Sequence, residues 1–163
     1  MNIDIQQPQP FDLVGSTILI AGNAVGFEAT LSLTVSDGHD EFTGIAMAGS
    51  TSLRQFQASL AIPPNPAFQL DRLFLTVADD TGGGDGVPPP SVTVPILFGP
   101  RILPGYTGYW IHVVVRGDTL SALADRFYGD PNGWEPIRRA NPNLISDPNL
   151  IFPGQVFRIP RND

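Results

Sequence analysis

The stretch His112-Val113-Val114-Val115-Arg116-Gly117-Asp118-Thr119-Leu120 decides the fold, passing from a β-branched run through a glycine turn into a helical pattern. Consecutive valines favour extended backbone, because branching at Cβ restricts χ1 and suits a pleated surface. Gly117 permits the turn, and Asp118 or Thr119 offers a side-chain oxygen to the free N–H groups of a first helical turn. Leu120, Leu123, Ala124 and Phe127 then fall at the i, i+3, i+4, i+7 spacing of one helix face, with Ser121, Asp125 and Arg126 pointing outward. Gly129-Asp130-Pro131 stops that helix.

Working outward, a second helix is expected from about Gly133 to Ala140, with Pro136 in its first turn and Trp134, Ile137 and Ala140 toward the core. Asn141-Pro142 ends it. After a proline- and asparagine-rich loop, Gly154-Gln155 turns into Val156-Phe157-Arg158-Ile159, a strand suited to pair antiparallel with Val113 to Val115. The product is a small βααβ unit.

These residues, together with Phe127-Tyr128-Gly129, Ala140-Asn141-Pro142 and Pro153-Gly154-Gln155-Val156-Phe157-Arg158-Ile159-Pro160, resemble a LysM domain. Both halves of the pattern occur in order at the right separation, which carries more weight than Gly-Asp-Thr alone, a common helix entry. The resemblance implies a small α+β fold. It also implies a shallow groove for N-acetylglucosamine-containing glycans between the loop after the first strand and the loop before the second. In this chain those loops are Gly117, Asp118, Thr119 and Leu120, and Leu150, Ile151, Phe152 and Pro153. Capping alone also accounts for Asp118 and Thr119.

The chain has 163 residues, enough for two small domains, and no cysteine, so disulfides, thiolate metal sites and cysteine nucleophiles are excluded. Its nine basic residues are all arginine, which excludes a lysine Schiff base and a P-loop. Charge is uneven, with net −8 over residues 1–100 and +1 over 101–163. An acidic first part repels phosphate backbones and the arginines of the second are dispersed, so nucleic-acid binding is not expected.

Residues 1–100 alternate apolar and polar positions in short runs between Gly, Pro and Asp clusters, the pattern of an all-β sandwich. Strands are expected at Ile3–Ile5, Thr17–Ala21, Phe27–Val35, Phe42–Met47, Gln55–Ile62, Leu73–Val77 and Ser91–Phe98. Ile3-Asp4-Ile5, Pro8, Pro10, Ile18 to Gly22, Phe27-Glu28-Ala29, Asp85-Gly86 and Val92 to Ile96 resemble Gmad2, a bacterial immunoglobulin-like domain known beside spore-germination proteins. That resemblance implies a binding or spacing module without catalytic residues. The expected organisation is an immunoglobulin-like sandwich over 1–100, a linker over 101–108 and a LysM-like domain over 109–163. Tyr106, Tyr109 and Trp110 follow the boundary and are expected to pack at the seam.

Other chemistry reads as structural. Asp37-Gly38-His39-Asp40-Glu41 offers an imidazole and three carboxylates but sits at a hairpin tip, where Asp and Gly serve turn geometry. Asp79 to Gly86 lacks the ligand order of an EF-hand and reads as an acidic loop. Neither histidine, His39 or His112, has an evident nucleophile, and Glu28, Glu41 and Glu135 do not form a glycosidase pair. No catalytic residue, metal or cofactor is expected.

The N-terminus has no basic region followed by an apolar one, and no segment is long enough to span a membrane, so cytoplasmic assembly is the expected location. Tyr128 to Trp134 between the helices and the long loop Asn143 to Pro153 resemble the LysM variant of phage tails and contractile injection systems. The reading is therefore a structural adaptor in a baseplate, partnered by tube, hub or spike-like proteins. The alternative is a peptidoglycan-binding protein of the cell wall or spore. A third class, an ion-responsive LysM protein, lacks convincing ligand spacing in the acidic loops.

Overall fold

The computed structural model describes residues 3–79 and 88–162, and the chain divides into two compact units, Met1–Phe98 and Gly99–Asp163. Among the described residues the first unit has eight strands: β1 (Ile3–Gln7), β2 (Leu13–Val14), β3 (Thr17–Ala24), β4 (Thr30–Ser36), β5 (Glu41–Met47), β6 (Arg54–Ala61), β7 (Arg72–Ala78) and β8 (Ser91–Phe98). They form a three-stranded sheet in the order β1-β3-β6 and a five-stranded sheet in the order β2-β8-β7-β4-β5. Alternation along each strand sends one set of side chains inward, so Ile18, Ile20, Phe56 and Leu60 of one sheet and Leu31, Leu33, Val35, Leu73, Leu75, Val77 and Ile96 of the other share one core. This is consistent with an immunoglobulin-like domain.

Two features depart from the sequence reading. The strand expected from Phe27 begins only at Thr30, because Glu28 and Ala29 take positive φ values of 59° and 61° in a tight turn. An eighth strand, β2, pairs parallel with β8 through Leu13 and Val14, a contact too short to show periodicity. Residues 80–86 of the expected acidic loop lie outside the described residues; Asp79, its first member, is buried.

In the second unit, α1 (Gly99–Ile102) is followed by β9 (Gly108–Val113), α2 (Leu120–Tyr128), α3 (Glu135–Ala140) and β10 (Val156–Arg161). Strands β9 and β10 pair antiparallel over their whole length, from Val156 opposite Val113 to Arg161 opposite Gly108, so the paired segment lies several residues nearer the N-terminus than the valine run suggests. Val114, Leu120, Leu123, Ala124, Ile137, Ile145, Phe157 and Ile159 form the core beneath one face of this sheet. Residues 101–108, expected as a linker, are built into the unit instead. Ile102 is buried, Arg139 Nη2 donates to the Arg101 carbonyl at 2.9 Å, and the Thr107 N–H donates to the Arg161 carbonyl at 2.8 Å. Tyr106 lies against Gly99, so a Cβ at Gly99 would strike its ring, and burial pushes the Tyr106 phenol up to about 12.

Candidate functional site

The turn after β9 and the start of α2 make the first wall of a groove. Gly117 adopts φ 96°, with nothing within reach of an added Cβ, so the backbone conformation alone calls for glycine. That turn brings the Asp118 carboxylate back over the strand, where Oδ2 accepts from the Val115 N–H at 2.9 Å and meets His112 Nε2 at 2.8 Å. Thr119, in extended conformation, caps α2 with Oγ1 accepting from the Ala122 N–H at 3.1 Å. The sequence left the cap between Asp118 and Thr119; the structure gives it to Thr119 and ties Asp118 to the strand.

His112 is held from behind. Its ring stands edge-on to Phe127 at 5.9 Å, and Phe127 stacks on Trp110 at 5.5 Å, with Arg126 over Phe127 and Arg161 over Trp110. The N–H of Val115 and the bond to His112, opposed by burial, keep the Asp118 carboxyl below the ordinary carboxylate value, with smaller contributions from the charges of His112 and Arg126. Asp118 is therefore ionised at neutral pH.

The second wall is the loop between α3 and β10. Asn141, buried at the end of α3, donates from Nδ2 to the carbonyls of Ile137 and Arg158 at 2.7 Å each and accepts from the Arg158 N–H at 2.8 Å. It thereby fastens α3 to β10, a role the sequence reading missed by treating it as a helix terminator. Ile145 anchors the loop in the core, and Asp147 then folds it into a turn by accepting from the Asn149 N–H at 2.9 Å. Gln155 closes the loop by accepting from the Phe152 N–H at 2.8 Å and donating to the Leu144 carbonyl at 3.0 Å.

Between the walls lies an open groove of about 430 Å³ lined by Asp118, Thr119, Leu120, Ser121, Trp134, Pro148, Asn149 and Ile151. Of the eight residues named from sequence, Asp118, Thr119, Leu120 and Ile151 meet there. Gly117, Leu150, Phe152 and Pro153 lie outside the lining; Leu150 and Phe152 are more than half exposed. The Asp147 turn shifts the second wall toward Pro148 and Asn149. Ser121 and Trp134 were missed because one read as a solvated helix position and the other as core. Polar oxygens and an amide alternate with apolar surface around the groove, a combination that suits a neutral, hydroxylated ligand with an apolar face.

The residues discounted as a site in the first unit form a clamp. Asp37 is buried, and Oδ1 accepts from the N–H groups of His39 (2.9 Å) and Asp40 (3.0 Å) while Oδ2 accepts from those of Gln69 (2.5 Å) and Leu70 (3.0 Å). Burial raises the pKa of this carboxyl, but the four donors outweigh burial and hold it well below the carboxylate range. His39 is largely exposed, and Glu135 pairs with Arg138 on α3. Among the described residues no group of three or more His, Cys, Asp or Glu side chains converges as metal ligands, and no helix is long and apolar enough to cross a membrane.

Comparison with known proteins finds two family profiles in the chain. The profile of the immunoglobulin-like domain of bacterial spore germination, Gmad2, matches residues 2–84, and that of the LysM domain matches residues 112–160. Among curated proteins, the chain is 43% identical over 54 residues to the potassium binding protein Kbp of Escherichia coli O6:H1, covering 33% of this chain and 36% of that one. It is 46% identical over 54 residues to an uncharacterized protein of Deinococcus radiodurans, covering 33% of this chain and 21% of that one. Esterase Rv1288 of Mycobacterium tuberculosis is 52% identical over 58 residues, covering 36% of this chain and 12% of the esterase. The chain thus spans a minor part of each of these relatives. No solved structure matches. Gmad2 and LysM are non-catalytic binding domains, and LysM points to peptidoglycan, the alternative in the sequence reading; the resemblance to baseplate adaptors draws no support from these matches.

Proposed function

The chain belongs to the Gmad2 family of immunoglobulin-like domains and carries a LysM domain after it, and on that premise we propose that it is a non-catalytic binder of peptidoglycan at the cell wall or spore surface. The groove between Thr119 and Asn149 holds N-acetylglucosamine units, and the first unit serves as spacer or second contact. The observation that carries this reading is the groove lining, in which Trp134, Pro148 and Ile151 give apolar surface to a sugar ring. Thr119, Ser121 and Asn149 stand beside them for its hydroxyl and acetamido groups. The test is co-sedimentation of the full chain with purified peptidoglycan sacculi. Ser121 is exposed on α2, so Ser121→Gln fills the groove without touching the core and is expected to abolish retention. Equal retention of both forms would exclude this groove.

The adaptor reading rests on a different surface. Tyr109, Ile111, Val113 and Val156 are exposed on the sheet face opposite the helices, and apolar patches of this kind commonly bind protein. Capture of tube, hub or spike-like proteins from native lysate, without sacculus binding, would establish that reading in place of the first.

A further inference from the structure

The groove is lined by one ionised group and by no basic side chain. Its lining includes Asp118 but no arginine, and the chain has no lysine. Asp147, exposed, adjoins Pro148 on the opposite wall and adds a second negative charge at the rim. Outside the lining, Arg126 lies over the Phe127 ring and Arg138 is paired with Glu135.

Asp118 is also held in one orientation. Both of its hydrogen bonds, to the Val115 N–H and to His112 Nε2, use Oδ2, and Oδ1 has no hydrogen-bond partner among the described residues. The imidazole of His112 is mostly buried, backed by Phe127, and is not part of the groove lining. A carboxylate clamped through one oxygen offers the other as an acceptor for an O–H or N–H donor. The same charge repels an anionic ligand, and a groove wall of apolar side chains screens that repulsion less than open water does.

Resting on the glycan reading above, we propose that the groove selects uncharged saccharides over carboxylate-bearing ones, with Asp118 as the specificity-determining residue and His112 as the residue that positions it. A free lactyl carboxylate on a muramic acid unit would be rejected, whereas N-acetylglucosamine units, or muramic acid whose carboxyl is tied up in an amide, would be accepted.

The experiment is calorimetric titration of the full chain with two tetrasaccharides at low salt. One is the neutral N-acetylglucosamine tetramer, and the other a peptide-free tetramer alternating N-acetylglucosamine with N-acetylmuramic acid. The neutral ligand is expected to bind roughly three- to tenfold tighter, the effect of one like-charge contact in a partly solvated site. Asp118→Asn, which retains an oxygen for Val115 and His112, should close the gap. His112→Ala should narrow it, and His112→Gln, with an N–H able to reach Asp118, should restore it. Equal affinity for the two ligands would overturn the proposal, as would a gap that survives Asp118→Asn, which would be steric in origin. A gap insensitive to His112→Ala would remove the positioning role. Failure of both tetramers to bind would overturn the glycan reading itself, and this inference with it.

Discussion

Asp37 in the first unit and Asp118 in the second are both carboxylates folded back over a turn, yet they differ in how much of their hydrogen-bonding capacity the protein consumes. Asp37 is buried and spreads four backbone N–H groups over both oxygens. Asp118 is partly exposed and engages both of its donors through Oδ2. A fully satisfied carboxylate joins chain segments and has little left for a ligand, while a half-satisfied one beside a groove keeps an acceptor free. Residue type points the other way, since Asp37 sits in the cluster richest in acid and imidazole and Asp118 sits in an ordinary helix entry.

The sharpest break of this comparison is Asp37→Asn. An amide keeps one oxygen but turns an NH2 toward two of the four donors, leaving them buried without acceptors and facing a like dipole. The expected loss is about 3 kcal/mol, which lowers the melting temperature of a unit this size by roughly 10–20 °C. Far-UV circular dichroism would follow it, and an unchanged melting temperature would remove the clamp role. Because the folded pKa of Asp37 lies below the ordinary 3.8, its stabilisation is complete above that pH and fades as pH falls through the folded value. The wild type should therefore lose stability in strong acid more steeply than the variant.

A smaller effect is expected for Asn141→Ala, which removes two hydrogen bonds to Arg158 of β10 and one to Ile137 of α3, leaving the Ile137 and Arg158 carbonyls and the Arg158 N–H to find other partners. About 2 kcal/mol should be lost from the second unit. Both tryptophans, Trp110 and Trp134, lie in that unit, so urea unfolding followed by tryptophan fluorescence reports it selectively. A midpoint that does not move would show that packing of Ile137 and Phe157 alone holds α3 in place.

Much of the second unit was legible because its signals are local. The i, i+3, i+4, i+7 spacing of Leu120, Leu123, Ala124 and Phe127 fixes the buried face of α2, and Gly129, in left-handed conformation, ends the helix. What escaped the sequence depends on contacts between distant residues. Nothing near Asn141 announces that its amide will meet Arg158, and nothing in Asp147-Pro148-Asn149 shows that the turn there moves the groove wall off Leu150, Phe152 and Pro153. Trp134 looked like core because a large apolar residue at helical spacing usually is; it is half-buried and faces both core and groove. In the first unit, alternation located the strands, but β2 owes its pairing to β8 rather than to any pattern of its own.

The smallest expected effect completes the comparison. Asp118→Asn should cost the second unit well under about 1 kcal/mol, because a single amide oxygen can take over both bonds that Oδ2 now accepts. The same isosteric change is thus expected to be severe at Asp37 and nearly silent at Asp118. Urea midpoints measured for both variants in the full chain decide the matter. A loss at Asp118 as large as that at Asp37 would mean that Oδ1 already carries a structural load. The groove would then have no spare acceptor, and recognition would fall to Thr119, Ser121 and Asn149.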